Sequence, residues 1–293
     1  MVVETTLAPR GRYSLALSAR MKSDATRFFR DGVLTTVFEA AGHPALARVR
    51  QLGDGTLAVN IESRDPAAAL DVVRFMVAVD DDHAEFTARF RRDPLLAGPI
   101  RILRGFRPLR VATVCHALLK ALCGQLVQAK AARLLEARLL RLAAPVHADL
   151  RLPPTRATFA DFAPAQLVRH GLAARKAAAL VRLSREIELE RLRTIPSALA
   201  AARIERERGL GPWSSGMICL YGLGRFDRGL VGDLGLIELC SALRGRWADA
   251  DDTRELLEPY GEWAGLASVY LLAGAGAVSR PDARREPRAA SAA

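Results

Sequence analysis

Residues 209–240 read GLGPWSSGMICLYGLGRFDRGLVGDLGLIELC, and the fold reading starts from this stretch. Gly209 and Gly211 flank a single leucine and precede Pro212. Glycine reaches positive φ and lets a backbone approach a ligand closely. Proline suits the first turn of a helix, where its missing N–H is not needed. The apolar run that follows predicts a helix over 213–223, and ALAAARIERE before the glycines predicts another. Two helices joined by a tight Gly-x-Gly turn expose unpaired N–H groups at the second helix's start. The helix dipole there favours an anion such as a phosphodiester. An ordinary helix–helix turn has the same residues. A second glycine-rich turn ends in Asp233, directly before the apolar run LGLIEL. Asp233 is a good helix N-cap and also a lone acid near the anion site.

Working outward, the 293 residues suffice for one large domain or two ordinary ones, and half are apolar. The net charge of +11 fits an anionic partner such as nucleic acid, and equally an arginine-biased solvated surface. No apolar run reaches the roughly 18–20 residues that span a bilayer, and the N-terminus lacks a secretory signal, so a cytoplasmic protein is expected. Cys115, Cys123, Cys219 and Cys240 show no metal-site spacing and each lies in an apolar stretch, which predicts buried reduced thiols.

The first eighty or so residues read as β-rich. YSLALSA (13–19), GVLTTVFEA (32–40), ALARVRQL (45–52) and TLAVNIES (56–63) alternate or are β-branched. Asp65-Pro66 then predicts a capped helix. From about residue 84 the pattern is helix after helix, with the long 111–143 run broken at Gly124-Gln125. The fold class is therefore α+β: a small mixed domain over 1–88, a mostly helical region over 89–280, and a disordered polar tail over 281–293.

Four blocks resemble the helix-hairpin-helix DNA glycosylase superfamily, in its bacterial 3-methyladenine DNA glycosylase II type. They are DPLLAGPIRILRGFRP (93–108) leading into ALCGQLVQAKAARL (121–134), HGLAARKAAALVRLSREI (170–187), GLGPWSSGMICLYGLGRFD (209–227) and GDLGLIEL (232–239). They occur in the family's order and together span roughly 90–280. The resemblance implies a monofunctional hydrolase that flips alkylated purines out of double-stranded DNA and cuts the N-glycosidic bond. A carboxylate would stabilise the oxocarbenium-like charge on the sugar, with no metal or redox cofactor. On this reading Asp233 is the catalytic aspartate, a role compatible with capping. Gly209 and Gly211 clamp phosphate, and their turn's carbonyls are the family's seat for a monovalent cation. Leu126 wedges into the base stack, or else packs as a core leucine at the helix break, with Gln125 beside it either touching the opposite strand or capping the break.

Trp213 stands where strand-cutting relatives carry a Schiff-base lysine, so an abasic product is expected. Trp213 and Met217 would line the base pocket or pack the hairpin. Leu272 stands at a pocket tryptophan's position, and Glu207-Arg208 replaces an apolar residue and proline ahead of the clamp. These departures keep a weakly catalytic or non-catalytic DNA-binding module as the alternative. The protein is expected to act as a monomer.

Overall fold

The computed structural model describes residues 1–20 and 23–278; the tail expected at 281–293 lies outside them. Five strands form one antiparallel sheet: β1 (Val2–Leu7), β2 (Arg27–Arg30), β3 (Val33–Ala40), β4 (His43–Gln51) and β5 (Leu57–Glu62), in the order β1-β5-β4-β3-β2. Asp31-Gly32, both at positive φ, make the two-residue turn between β2 and β3, which suits the strands' right-handed twist. Alternation along β5 buries Leu57, Val59 and Ile61 on one face. There they meet Ala69, Val73 and Met76 of a helix over Pro66–Met76. The opposite face buries Val37 and Leu46 against Leu152.

Residues 13–19 contradict the strand expected there. They contain α1 (Leu15–Ala19), whose first turn is capped by the Ser14 hydroxyl accepting from the Leu17 N–H at 3.3 Å. α2 is Pro66–Met76, opened as expected by Asp65, whose carboxylate accepts from the Ala68 N–H at 3.0 Å.

The helical region begins with α3 (Ala84–Phe90) and α4 (Ala97–Ile102), followed by α5 (Val114–Gly124) and α6 (Ala129–Ala143). A two-stranded ribbon of β6 (Val146–His147) and β7 (Leu150–Arg151) leads to α7 (Arg156–Ala160), α8 (Pro164–Arg169), α9 (Ala174–Glu186), α10 (Ser197–Glu205) and α11 (Pro212–Ile218). α12 (Leu234–Arg244), α13 (Ala250–Leu257) and α14 (Ala264–Ala273) complete it. A division at 88/89 would cut α3. The helices build two cores rather than one. α5–α11 share the first. α3 and α4 pack with α12–α14 in the second, so the chain visits that lobe before and after the other. Trp213 and Met217 touch both cores, which puts α11 at the seam between the lobes.

Part of the excess positive charge is structural. Arg107 is 1% exposed, and its guanidinium donates to the Ala78 and Val79 carbonyls at 2.7 and 3.0 Å. Arg110 donates to both Asp81 carboxylate oxygens at 2.7 Å. These two side chains fasten the strap between α4 and α5 to the end of α2. All four cysteines are buried and free, as expected from their apolar settings. Among the described residues no helix is long and apolar enough to cross a membrane.

Candidate active site

α10, the turn after it and α11 form a helical hairpin. Gly209 sits at φ +96°, a backbone conformation that side-chain-bearing residues seldom adopt. Leu210 anchors the turn in the core and donates its N–H to the Glu207 carbonyl at 3.0 Å. Gly211 is extended and Pro212 opens α11. The unexpected Glu207 has a partner: its carboxylate accepts from Arg182 of α9, through Nε at 3.1 Å and also through Nη2. The charge that looked out of place before the glycines is thus neutralised on the α9 side. Arg208 stays exposed.

Asp233 caps a helix and also faces the cavity beside the hairpin. Its Oδ1 caps α12 by accepting from the Gly235 N–H at 2.9 Å. Its Oδ2 accepts from the indole N–H of Trp213 at 2.9 Å. The carboxylate is half-buried and lines a cavity of about 770 Å³, whose wall also includes Gly209, Gly211, Trp213 and Met217. Leu272 is not part of that wall. It packs behind α12's first turn, where a Cβ on Gly235 would come within 2.6 Å of its Cδ2. Its expected place in the base pocket is corrected accordingly: Leu272 supports the turn that carries Asp233.

The turn between α5 and α6 forms the facing wall. Leu126 has φ +58° and is 84% exposed. A left-handed leucine costs roughly 1–2 kcal/mol, and this one gains no packing in return. Gln125 caps α5 as expected, its backbone N–H donating to the Ala121 carbonyl at 3.2 Å, and its side chain turns to the hairpin. Its amide Nε2 donates to the Gly209 carbonyl at 2.7 Å and lies 2.8 Å from the Ser214 hydroxyl oxygen, while its backbone carbonyl accepts from Lys176 at 2.9 Å. Gln125 therefore clamps the Leu126 turn to the hairpin. At Gly124 a Cβ would stand 2.8 Å from the Trp213 ring. Gly124→Ala is expected to cost about 1–3 kcal/mol by overpacking, seen in thermal unfolding, and to loosen the indole that holds Asp233.

A charged cluster that no local sequence pattern marks lies in the same wall. Lys120 donates to both Glu136 oxygens at 2.9 and 3.0 Å and to Asp24 at 3.3 Å. His116 Nε2 lies 2.7 Å from Glu136, and Arg27 Nε lies 3.5 Å from Asp24. Burial alone would raise both carboxyl pKa values. Lys120 nevertheless holds both below the ordinary range, helped by Arg27 at Asp24 and by His116 at Glu136. Burial would lower the Lys120 amine, but Glu136 and Asp24 hold it above its ordinary value. Asp24, His116 and Glu136 are close enough to hold a metal ion, and the Lys120 ammonium already bonds to both carboxylates among them. Lys176, the other lysine of the cavity wall, has its amine pushed down by burial.

No protein-family model matches the chain. A DNA-3-methyladenine glycosylase of Bacillus subtilis (strain 168) is 24% identical over 205 residues, covering 66% of this chain and 67% of the relative. Among solved structures, a 3-methyladenine DNA-glycosylase from Archaeoglobus fulgidus superposes with a TM-score of 0.80 at 19% identity, covering 92% of this chain and 97% of the other. A Clostridium acetobutylicum 8-oxoguanine glycosylase/lyase, solved with double-stranded DNA, superposes with a TM-score of 0.77 at 16% identity, covering 94% of this chain and 97% of the other.

Proposed function

We infer that this chain, which has the fold of the helix-hairpin-helix DNA glycosylase superfamily, is a monofunctional DNA glycosylase that removes alkylated purines of the 3-methyladenine type from double-stranded DNA. The observation that carries this reading is the Asp233 carboxylate. It is half-buried in a cavity beside the glycine hairpin and held by two donors from different elements.

Such a carboxylate suits a reaction whose transition state places positive charge on a sugar. It is fixed before the charge develops, so little reorganisation accompanies bond breaking. The hairpin glycines would receive backbone phosphate, and the adjacent cavity would receive the flipped base. Trp213 offers an aromatic wall to a cationic purine. Leu126 would fill the space that the nucleotide leaves, since an apolar wedge replaces stacking without asking for hydrogen bonds. The hairpin carbonyls not used by Gln125 are the proposed seat for a monovalent cation.

The test is release of free base from a duplex carrying 3-methyladenine, followed chromatographically. Release that leaves intact abasic strands supports the reading, and binding without release supports the non-catalytic alternative. Borohydride added during turnover is expected to trap no protein–DNA adduct, because Trp213 carries no amine. A trapped adduct that disappears in Lys176→Met would assign a glycosylase/lyase instead, since that amine lines the same cavity.

Leu126→Gly separates folding from function. Glycine relieves the positive φ, so stability is expected to hold or to rise by up to about 1 kcal/mol. Base release is expected to fall, as the wedge is gone. Parallel losses of stability and activity would make Leu126 a structural residue instead.

A further inference from the structure

A second cavity, of about 610 Å³, opens between the turn after β1, helices α3 and α4, and the chain just beyond α14. It shares no lining residue with the cavity at Asp233. Five arginines line it: Arg10, Arg12, Arg91, Arg101 and Arg104. All five are exposed, and none of their guanidinium groups has a hydrogen-bond or ion-pair partner among the described residues. Asp82 is the one carboxylate in the lining, and its Oδ1 already accepts from the Ala84 N–H at 2.8 Å. Five unpaired cations around one concavity repel one another, and an anionic occupant relieves that repulsion.

The wall is more than an arginine patch. His83 lines it at 7% exposure, and neither ring nitrogen has a hydrogen-bond partner among the described residues. Its Nε2 lies 3.8 Å from an Asp81 carboxylate oxygen, an ion pair when the imidazole is protonated. Leu103, Phe106 and Tyr270 form a buried apolar floor, and the Tyr270 hydroxyl donates to the Phe106 carbonyl at 3.2 Å.

We propose that this cavity binds a small oligophosphate, a chain of two or more phosphate groups, either inorganic or carried by a nucleotide. Its volume lies in the range typical of small-molecule sites. A DNA duplex presents phosphates along a convex rod, whereas these arginines line a concavity. Guanidinium groups bind phosphate in bidentate fashion, and five of them exceed what a single phosphate uses. The proposal is independent of the glycosylase reading.

Isothermal titration of the full chain with tripolyphosphate, pyrophosphate, ADP and adenosine tests it. Saturable one-to-one binding of the phosphate-bearing ligands and none of adenosine is expected. Arg101→Glu combined with Arg104→Glu is expected to weaken that binding at least tenfold, with thermal midpoint and base release unchanged. ADP binding at least tenfold tighter than pyrophosphate assigns the site to nucleotides, and equal affinities assign it to the phosphate chain alone. Absence of saturable binding, or binding that the double variant leaves intact, overturns the proposal. So does a double variant that loses duplex affinity while no oligophosphate binds the wild type, since the arginines then serve a DNA backbone.

Discussion

Asp233→Asn is expected to slow base release from methylated duplex DNA by roughly 10²–10³-fold, the range found when one preorganised electrostatic group is removed from an active site. Duplex affinity should stay within a few-fold. Asparagine is as good an N-cap as aspartate, so the bond from the Gly235 N–H survives and α12 keeps its start. What disappears is the negative charge. Asparagine also has one acceptor oxygen where aspartate has two, so the Trp213 indole loses its partner. That loss is worth about 0.5–1.5 kcal/mol of stability. Trp213→Phe isolates it. The substitution removes the indole donor, keeps a ring against Gly124 and leaves the carboxylate in place, so its rate loss should be about tenfold or less. Equal losses in the two variants would mean that the hydrogen bond, not the charge, is what matters.

Lys120→Met is expected to destabilise the fold by about 3–5 kcal/mol near neutral pH, the cost of removing one partner from a buried ionic cluster. Asp24 and Glu136 would remain almost fully buried, with side chains 4% exposed, and without their ammonium. The pH dependence follows from the direction of each shift. Both carboxyl pKa values are held below the ordinary range in the wild type. Their stabilisation is therefore complete above that range and is lost as pH falls through the lowered values. The Lys120 value is raised, so its contribution is complete below the ordinary lysine value and is lost only as pH rises through the raised one. In Lys120→Met the two carboxylates, left with Arg27 and His116 alone, are relieved by taking up protons. The deficit against wild type, measured by urea unfolding, should shrink as the medium is acidified. Adding Glu136→Gln should recover a large part of it. A deficit independent of pH would point to lost packing of the lysine stem instead.

The residues that act locally were legible in the sequence. Asp65-Pro66 and Asp233 announce helix starts because a cap is chosen by the next three residues alone. The break at Gly124-Gln125 is visible for the same reason, since an apolar run of that length lacks a single helical period. YSLALSA misled because its alternation is equally consistent with a strand. Tertiary bonds decide it: the Tyr13 hydroxyl donates to the Val77 carbonyl at 2.9 Å, and the Ser14 N–H donates to the Gly105 carbonyl at 2.7 Å. β2 was missed because Arg-Phe-Phe-Arg is short and pairs along one edge only.

The site divides in the same way. Asp233 and the hairpin glycines lie within one contiguous stretch and could be singled out there. The Asp24–Lys120–Glu136 cluster joins segments about a hundred residues apart, and no local pattern marks it. Gln125 was singled out, but its work is to brace the hairpin, a fact that depends on where Gly209 ends up in space. Glu207 departs from the family's apolar pattern ahead of the hairpin, and the Arg182 that accommodates it lies on another helix, α9.

The central claim is that the cavity beside the hairpin breaks a glycosidic bond. The most direct measurement is single-turnover release of free 3-methyladenine from duplex DNA by the wild-type protein in excess. Free base and an equal amount of intact abasic strand are expected, with Asp233→Asn slower by roughly 10²–10³-fold. Tight duplex binding with no base released, or release at the same rate by the Asp233→Asn variant, would contradict it.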